Sequence, residues 1–449
     1  MLCLGEGGTG KTTVINAITD TFREHNAEHL LAKTATSGMA ATLIGGETLH
    51  SWLGVGIGMP KTENWLDKGT KAAREKCSKN ISGKILLIID ECSMLTSEFL
   101  GLASEVISGV RIKDGDVRRH DIFAGLSVIL FGDFHQFPPV SRSKLALYQL
   151  TNHNKRAVMG HEIYRRFTTV VILLKQNRIK DSRWMLLLRN LREGACSKAD
   201  IEIIKSLVLT TDGCNKPDFN TLPWKDAILV TSRRVVKDMW NQSALLKHSQ
   251  SSGHAVYVST AEDQILEGND VRQPSMHEKV VIAGTKVEDT KRLAERVELA
   301  IGMRAMVLLN ISTDADLANR TRGVVKDIIL DPRESDTNRI LDDDGRIVLQ
   351  FPPILIKFRP DLPTDVRFSG LKDGIIPIIP SEVRFALDAG GGKKFRVWRR
   401  QLALTQAYAF TDYKSQGQMI PYVIVDMATP PGRGSKLTPF NAYVALSRS

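Results

Sequence analysis

Residues 5–12 read GEGGTGKT, glycines followed by a lysine and a threonine, a pattern that suits a phosphate-binding loop. Glycines let successive backbone N–H groups curl around an anion at the start of a helix. The lysine can then reach the terminal phosphates of a nucleotide, and the threonine hydroxyl can bind Mg²⁺. We therefore predict a nucleoside-triphosphate site formed by Gly5, Glu6, Gly7, Gly8, Thr9, Gly10, Lys11 and Thr12.

An adjacent pair of acids ends a second apolar run, in ILLIIDECSML at residues 85–95. Asp90 is predicted to hold Mg²⁺, directly or through water, and Glu91 to orient and deprotonate the attacking water. Such a pair is common by itself, but here a phosphate loop precedes it by 79 residues (90 − 11 = 79). The two motifs together predict a domain that hydrolyses ATP or GTP. They leave open what the hydrolysis drives.

Short apolar runs must position these residues. Each run is continuous, as in strands buried on both faces of a parallel sheet, where ligands bind beyond the carboxyl ends. Those of the first 150 residues are Leu2–Leu4, Leu30–Lys33, Ile85–Asp90 and Ser127–Phe131. The same pattern returns at Thr169–Leu174, Ala227–Thr231 and Tyr422–Asp426. We predict two α/β domains, residues 1–150 and 151–449, with a boundary near 141–168.

Two stretches have the composition of insertions. Residues 54–84 are rich in Gly and Lys and interrupt the first domain. Residues 322–400 switch to short β runs separated by Pro-rich and Gly-rich joints, which predicts a small all-β module. Between two of these runs, the acidic segment Asp342–Asp344 with Gly345 is predicted to be a hairpin turn rather than a metal site.

Composition limits the cellular setting and the partners. The 449 residues carry a net charge of +11 (61 − 50), which favours a polyanionic partner. Twelve Lys and Arg but only two acids lie between Ser141 and Arg192, either as a solvated basic face or as phosphate contacts. The five cysteines form no CxxC pair, and no apolar run is long enough to span a membrane. We expect an intracellular protein with no structural zinc and no membrane partner.

Residues 132–140 read GDFHQFPPV, directly after the run SVILF. Together with DECSML and with TATSGMAATLIGGETLHSW at 34–52, this segment resembles the petite-integration-frequency (PIF) family of 5′-to-3′ DNA helicases in superfamily one. The resemblance implies that Gln136 senses the γ-phosphate of ATP. It also implies a set of contacts to single-stranded DNA, made by Thr36, Ser37, Thr48 and His50.

The resemblance extends through LLKQNR at 173–178, LTQAYAFTDYKSQGQ at 404–418 and YVALSR at 443–448. It implies that Arg178 and Arg448 stabilise transition-state charge when the nucleotide cleft closes. Residues of the second segment would then contact nucleotide (Gln416, Gly417) and DNA (Thr411, Tyr413, Lys414). Tyr413 stands where the family more often has histidine, and a tyrosine can still stack on a base.

For the whole chain, the resemblance implies two RecA-like domains with parallel sheets, a wedge insertion at 54–84 and an SH3-like β insertion at 322–400. It implies an ATP- and Mg²⁺-dependent enzyme that moves 5′ to 3′ on single-stranded DNA and opens forked DNA in repair, recombination and telomere maintenance. We expect a monomer in the nucleus, with the mitochondrion as the alternative, and a family core shortened at both ends. Two other readings stay open: a remnant that binds nucleic acid without unwinding it, and another P-loop ATPase or kinase.

Overall fold

The computed structural model describes residues 1–56, 71–113, 121–139, 145–150, 154–211, 214, 216–268, 270–287, 289–290, 292–309, 311, 319–334, 339–361, 366–388, 394–431 and 436–448. The chain forms two compact units, one of Met1–Ser232 with Asp412–Ser449 and the other of Arg233–Thr411. In the part of the chain that is described, no helix is both long and apolar enough to cross a membrane.

A six-stranded parallel sheet forms the centre of the first unit, in the order β3-β2-β4-β5-β1-β6. Its strands are β1 (Leu2–Gly5), β2 (Leu31–Ala35), β3 (Glu47–Thr48), β4 (Leu86–Asp90), β5 (Ser127–Gly132) and β6 (Val170–Leu173). The four apolar runs of the first 150 residues are confirmed as strands. Their side chains are buried on both faces of the sheet, as the continuous apolar pattern requires.

Strand β6 differs from the sequence-based expectation. Its run, Thr169–Leu174, is assigned by position to the second domain, yet residues 170–173 pair in parallel with β1, from Leu2 opposite Val170 to Gly5 opposite Leu173. Apolar pattern alone does not specify which sheet a strand joins. The pairing places the segment that follows β6 beside the loop that follows β1.

Helices flank this sheet, and side-chain caps define several of their starts. The helices of the first unit are α1 (Lys11–Glu24), α2 (Gly38–Leu43), α3 (Leu49–Trp52), α4 (Lys71–Ile81), α5 (Ser97–Lys113), α6 (Lys155–Arg165), α7 (Ser182–Glu193), α8 (Lys198–Ser206), α11 (Asp412–Ser415) and α12 (Pro439–Leu446). Asn154, Asp181 and Ser197 accept backbone N–H groups of the first turns of α6, α7 and α8. Two further parallel strands, β7 (Ile228–Thr231) and β22 (Val423–Asp426), complete this unit.

Helices α5 and α6 pack backbone against backbone, through two glycines. A Cβ atom built on Gly160 would lie 1.7 Å from the carbonyl oxygen of Ser97, and one on Gly101 would lie 2.3 Å from that of Arg156. Neither contact leaves room for a side chain. The two glycines therefore set how closely these helices approach.

Antiparallel sheets dominate the second unit. Its strands are β8 (Tyr257–Thr260), β9 (Glu262–Glu267), β10 (Asp270–Arg272), β11 (Arg296–Leu299), β12 (Arg304–Val307), β13 (Arg322–Ile329), β14 (Ile340–Leu341), β15 (Ile347–Leu349), β16 (Leu355–Pro360), β17 (Ile376–Ile378), β18 (Ser381–Asp388), β19 (Lys394–Gln401), β20 (Leu404–Gln406) and β21 (Ala409–Thr411). Three sheets run in the orders β17-β16-β13-β12-β20, β11-β8-β15-β14 and β10-β9-β19-β18. Two helices accompany them, α9 (Arg234–Ser252) and α10 (Met276–Ala283).

The β runs predicted within 322–400 are confirmed as strands β13 to β17, and strands of the same sheets begin upstream, at Tyr257. The turn at Asp342–Gly345 is confirmed as well. It joins the antiparallel strands β14 and β15, with Gly345 at φ 74° and the Asp342 carboxylate accepting from Arg346. Of the wedge predicted at 54–84, residues 57–70 lie outside the described residues, and Lys71–Ile81 is helical.

Candidate nucleotide site

The loop between β1 and α1 has the backbone conformation of a phosphate cradle. Gly8 and Gly10 both have φ of +92°, in the left-handed region that favours glycine. The Lys11 ammonium lies over the loop and donates to the carbonyl oxygens of Gly5, at 2.7 Å, and Glu6, at 2.9 Å. Helix α1 begins directly after the loop, so its unsatisfied N–H groups face the same place as the lysine.

The segment after β6 lies along this loop. The Gln176 side-chain amide donates to the Gly7 carbonyl at 2.9 Å, and the Asn177 backbone N–H donates to the Gly8 carbonyl at the same distance. A Cβ atom built on Gly7 would lie 3.6 Å from Nη1 of Arg178 and 3.7 Å from Nη2 of Arg448. Residues from three distant parts of the chain therefore meet at the phosphate loop.

Both arginines are cations with few protein partners. Arg448 is 3% exposed, and burial, followed by the charge of Arg178, lowers its pKa to about 10. Burial also lowers the pKa of Arg178. Over the described ranges neither arginine forms an ion pair with a carboxylate; their bonds go to Ser447, Val444 and Gln136. Two such guanidiniums beside a glycine-rich loop fit a polyanionic ligand such as a triphosphate.

Asp90 and Glu91 lie at the carboxyl end of β4, and both are buried. Burial and then the neighbouring Glu91 charge raise the pKa of the Asp90 carboxyl. Glu91 is in the left-handed region, at φ 56°, and its N–H donates to the Asp90 carboxylate at 2.8 Å. Two adjacent buried carboxylates are stabilised by a nearby cation, and the charge of Lys11 opposes the rise in the pKa of Asp90.

The polar groups around this pair fit a bound Mg²⁺ and a water. Mg²⁺ is usually held by one or two carboxylates together with substrate phosphates. Within the described segments no three His, Cys, Asp or Glu side chains form a metal cluster, and Asp90 with Glu91 is a partial set of this kind. Gln416 donates to Glu91 at 3.3 Å, while its buried Oε1 atom has no partner among the described atoms. An unsatisfied buried oxygen beside a candidate general base favours a water or ligand there.

Asp133 is a hub that the sequence analysis did not identify. It is fully buried, and its Oδ2 atom accepts from Arg192 at 2.9 Å, from Gln136 at 3.3 Å and from the Tyr443 hydroxyl at 3.3 Å. Arg448 in turn donates to Gln136 at 3.5 Å. The hub thereby fixes Gln136 between the loop after β5 and helix α12. Little in the sequence indicates that Arg192 pairs with Asp133, because Arg192 is one of many arginines in a basic stretch.

Some of the arginines in the basic segment between Ser141 and Arg192 form ion pairs within the fold. Three of its arginines pair with acids of the first unit: Arg156 with Glu105, Arg189 with Glu6 and Arg192 with Asp133. The Arg156 and Arg192 pairs are less exposed than the Arg189 pair, which joins atoms 3.7 Å apart. The stretch is therefore neither wholly a solvated face nor wholly a set of phosphate contacts.

The residues predicted to contact DNA near β2 and β3 have partners within the first unit. The Thr36 hydroxyl donates to the Glu91 carbonyl at 3.0 Å, so this threonine lies directly beside the acid pair. Ser37 and Thr48 cap helices α2 and α3. His50 stacks on Phe99 with ring centroids 4.1 Å apart, and burial lowers its pKa.

The predicted residues near the C-terminus are divided between the two units. In the first unit Tyr413 is 40% exposed and stacks on Phe137 at 4.0 Å, which forms an aromatic step next to the loop that carries Gln136. Gly417 adjoins Glu91, because a Cβ built on it would lie 3.8 Å from the Glu91 carboxylate. Lys414 lies in α11 of the same unit, and Thr411 ends β21 in the second unit.

Comparison with known proteins finds similarity to helicases. A family model described as PIF1-like helicase matches residues 1–199. Uncharacterized protein 030L of Invertebrate iridescent virus 6 is 25% identical over 98% of this chain and 84% of its own length. The ATP-dependent DNA helicase PIF1 of Xenopus laevis is 26% identical over 99% of this chain but only 56% of its own length. This chain therefore spans little more than half of that relative.

Solved structures of helicases are similar to the chain as well. The crystal structure of the Pif1 helicase from Candida albicans matches 100% of this chain and 88% of its own, with a TM-score of 0.66 and 25% identity. The match confirms a mixed α/β fold with a parallel sheet. The phosphate loop, the buried acid pair and the two arginines lie together in this fold, in the segments that carry the resemblance. The family match over residues 1–199, the relatives that are similar over the whole chain and the shared fold all make this chain similar to PIF1-like helicases.

Proposed function

We propose that this protein is an ATP-dependent DNA helicase that translocates 5′ to 3′ on single-stranded DNA and unwinds duplexes. One observation carries the proposal: the buried Arg448 and the partly buried Arg178, neither with a carboxylate partner among the described residues, lie beside a glycine-rich loop. The buried acid pair at the carboxyl end of β4 supplies the complementary hydrolytic groups. The similar Xenopus laevis protein carries the name of such a helicase.

In the proposed mechanism the loop residues Gly5 to Thr12 bind the triphosphate of ATP. The backbone N–H groups of the loop and of the first turn of α1 bind the phosphate oxygens. Lys11 exchanges its bonds to the Gly5 and Glu6 carbonyls for bonds to the terminal phosphates. Thr12 and Asp90 would hold Mg²⁺, which when bound neutralises phosphate charge.

Hydrolysis follows with Glu91 as the general base. Glu91 takes a proton from water as the water oxygen attacks the γ-phosphorus, and the bond from that phosphorus to the β,γ-bridging oxygen breaks. Gln136 contacts the γ-phosphate, and Arg178 and Arg448 stabilise the charge that develops on the transferred group. Gln416 and Gly417 adjoin the base. Gln136 also bonds to Asp133, which accepts hydrogen bonds from Arg192 of α7 and Tyr443 of α12. Loss of the γ-phosphate can therefore change the contacts of α7 and α12.

The partner in this proposal is single-stranded and forked DNA. The net charge of +11 and the exposed Tyr413 ring support it, since stacking surfaces and cations bind single strands without reading sequence. Thr36, Ser37, Thr48, His50, Thr411 and Lys414 would supply further contacts. The proposal includes the two RecA-like domains, the wedge and the SH3-like insertion. It also includes action as a monomer in genome maintenance, in the nucleus rather than the mitochondrion.

The free cysteines support the reducing compartment of that proposal. Cys3, Cys77 and Cys92 are buried thiols, and Cys196 and Cys214 are partly exposed, with none in a disulfide in the described structure. A fluorescent fusion of the protein, viewed with nuclear and mitochondrial markers, checks the location.

The decisive experiment measures ATP hydrolysis with and without single-stranded DNA, and strand separation on duplexes with a 5′ or a 3′ tail. We expect single strands to stimulate ATP turnover, and only the 5′-tailed duplex to open. Glu91→Gln, which keeps the fold and the nucleotide site, is the inactive control. DNA binding without unwinding would identify a non-unwinding remnant. ATP turnover that no DNA stimulates would point to another P-loop ATPase or kinase.

A further inference from the structure

The sheet β10-β9-β19-β18 of the second unit has one covered and one open face. Its covered face packs Ile265, Phe385 and Val397 against Ile282 of helix α10. Successive residues of a strand point to opposite faces. The neighbours of these residues therefore point away from the helix, toward an open groove of about 780 Å³ on the other side.

The strand register defines what lines this groove. Ala386, Arg396, Leu266 and Val271 form one row across all four strands. Arg384 lies two residues from Ala386, and Lys394 two residues from Arg396, so both share the face of this row. The groove therefore has an apolar floor of Leu266, Val271 and Ala386, with cations along β18 and β19.

These cations differ from other arginines of the same unit. Carboxylate partners are present for Arg304, Arg333, Arg346, Arg399 and Arg400. In contrast, Arg384 and Arg396 are exposed and form no ion pair with any described carboxylate. The acid at the groove, Glu267, is paired with Arg272, which also binds Glu278. Lys394 faces Asp388 in the register, so the excess positive charge rests on the two arginines.

We propose that this groove binds the phosphodiester backbone of DNA, as a nucleic-acid contact of the second unit. The inference rests on the proposed function, because an acidic peptide would also match the charge, whereas the polyanion that a helicase follows is DNA. Guanidiniums on one face of neighbouring strands can bind successive phosphates. Residues two apart on a strand are separated by about 6.7 Å. The apolar floor can accept sugars or bases without reading sequence.

The test compares the parent with Arg384→Gln/Arg396→Gln by fluorescence anisotropy, between low and physiological salt. The probes are a single strand, a blunt hairpin duplex and a 5′-tailed duplex, so that binding to single-stranded DNA and binding to duplex DNA are measured separately. Each lost phosphate contact lowers the slope of log K against log salt by about 0.7 on a single strand or 0.9 on a duplex. We expect the double variant to lose about 1.4 to 1.8 of slope, and affinity about tenfold at 0.1 M salt, on at least one probe.

Two matched variants make this result specific. Lys326→Gln/Lys372→Gln removes two exposed charges of the same unit away from the groove and is expected to keep the parental slope. Arg384→Lys/Arg396→Lys keeps the charge and is expected to retain most of the affinity. If Arg384→Gln/Arg396→Gln keeps the parental slope of log K against log salt, the groove does not bind DNA. The same conclusion follows if this variant keeps the DNA slope but loses binding of polyglutamate, because the groove would then bind an acidic peptide. Absence of DNA-stimulated ATP turnover in the parent would instead overturn the proposed function.

Discussion

At the scale of single residues, the candidate nucleotide site is defined by two arginines that have no carboxylate partner among the described residues. Among the described residues the Arg178 side chain makes one long hydrogen bond, 3.4 Å to the Ser447 carbonyl, and burial lowers its pKa. A buried cation costs free energy unless an anion compensates it. Its position beside Gly7 fits the proposed binding of a polyanion there.

Arg178→Gln is expected to fold normally and to hydrolyse ATP at least about 100-fold more slowly at saturation, because transition-state charge is then less stabilised. KM for ATP is expected to change much less than kcat. Steady-state kinetics with saturating single-stranded DNA measure both. A variant with the parental kcat would remove Arg178 from the hydrolytic machinery.

Glu91→Gln is expected to bind ATP with Mg²⁺ as the parent does but to lose at least about 100-fold in kcat, since only proton removal from water is lost. Nucleotide binding is measured with a fluorescent ATP analogue, and turnover by phosphate release. Glu24→Gln, an exposed position of α1, is the charge-matched control. Turnover at the parental rate would show that Glu91 is not the base.

The loop glycines, Lys11 and the acid pair could be predicted because each motif is contiguous and its chemistry fixes the spacing. The Asp133 hub could not, because Arg192 and Tyr443 lie 59 and 310 residues from it. Nothing in a helical arginine signals a buried partner so distant in sequence. Gln176, which bonds to the Gly7 carbonyl, was missed although it stands two residues before Arg178.

At the scale of elements, α7 and α12 are joined to the loop after β5 by one buried carboxylate. Asp133 is 0% exposed, and the side chain of Arg192 is 15% exposed. Burial and then the charge of Asp133 raise the pKa of the Tyr443 hydroxyl, which therefore stays protonated and donates its hydrogen bond to Asp133. The Asp133 charge also attracts Arg192. The three elements are thus connected by bonds to a single side chain.

Arg192→Met is expected to destabilise the first unit by about 3–5 kcal/mol, since it leaves the Asp133 charge buried and unpaired. Urea unfolding gives this free energy. Arg189→Met, on the same helix at a more exposed ion pair, is the control and is expected to cost under about 1 kcal/mol. Equal unfolding midpoints for the two variants would contradict the role of the hub.

Helix α10 begins with a capping box in which Ser275 and Glu278 bond each other's backbone N–H groups. Hydrogen bonds from Arg272 lower the pKa of Glu278 to about 2. The folded pKa is thus below the ordinary value of 4.5, so the stabilisation is complete above about pH 4.5 and is lost as pH falls through about 2.

Glu278→Gln is therefore expected to lower the melting temperature of the second unit by about 2–4 °C at pH 7 and by much less near pH 2. Scanning calorimetry across this pH range measures the difference between variant and parent. Glu382→Gln, an exposed position of the same unit, controls for the loss of one charge. A difference that stays constant with pH would refute the ion-pair explanation.

Element boundaries follow the sequence closely where a strand is buried on both faces. Residues 85–90 were predicted and 86–90 are observed, because a continuous apolar run of this length fits few other structures. Pairing order could not be predicted. Val170–Leu173 is as apolar as the other strands, and only its parallel register with β1 places it in the first sheet.

At the scale of the whole molecule, all the proposed nucleotide contacts belong to one of the two compact units. ATP with Mg²⁺ at about 100 times its Kd is expected to stabilise that unit by about 2.7 kcal/mol. Calorimetry is expected to show one transition moving upward and another, that of Arg233–Thr411, unmoved. Removing Mg²⁺ with EDTA, or Lys11→Ala, is expected to abolish the shift. Equal shifts of both transitions would contradict a site confined to the first unit.

The contact of Gly101 and Gly160 between α5 and α6 also has a genetic consequence. Every single-nucleotide change at the first two positions of a glycine codon that still encodes an amino acid introduces at least a Cβ atom. At these two positions even alanine would place that atom within 2.3 Å of a carbonyl oxygen. Third-position changes are silent. In lineages that keep this helix pair, we therefore expect synonymous differences to accumulate at both codons. Selection is expected to remove the changes that replace either glycine.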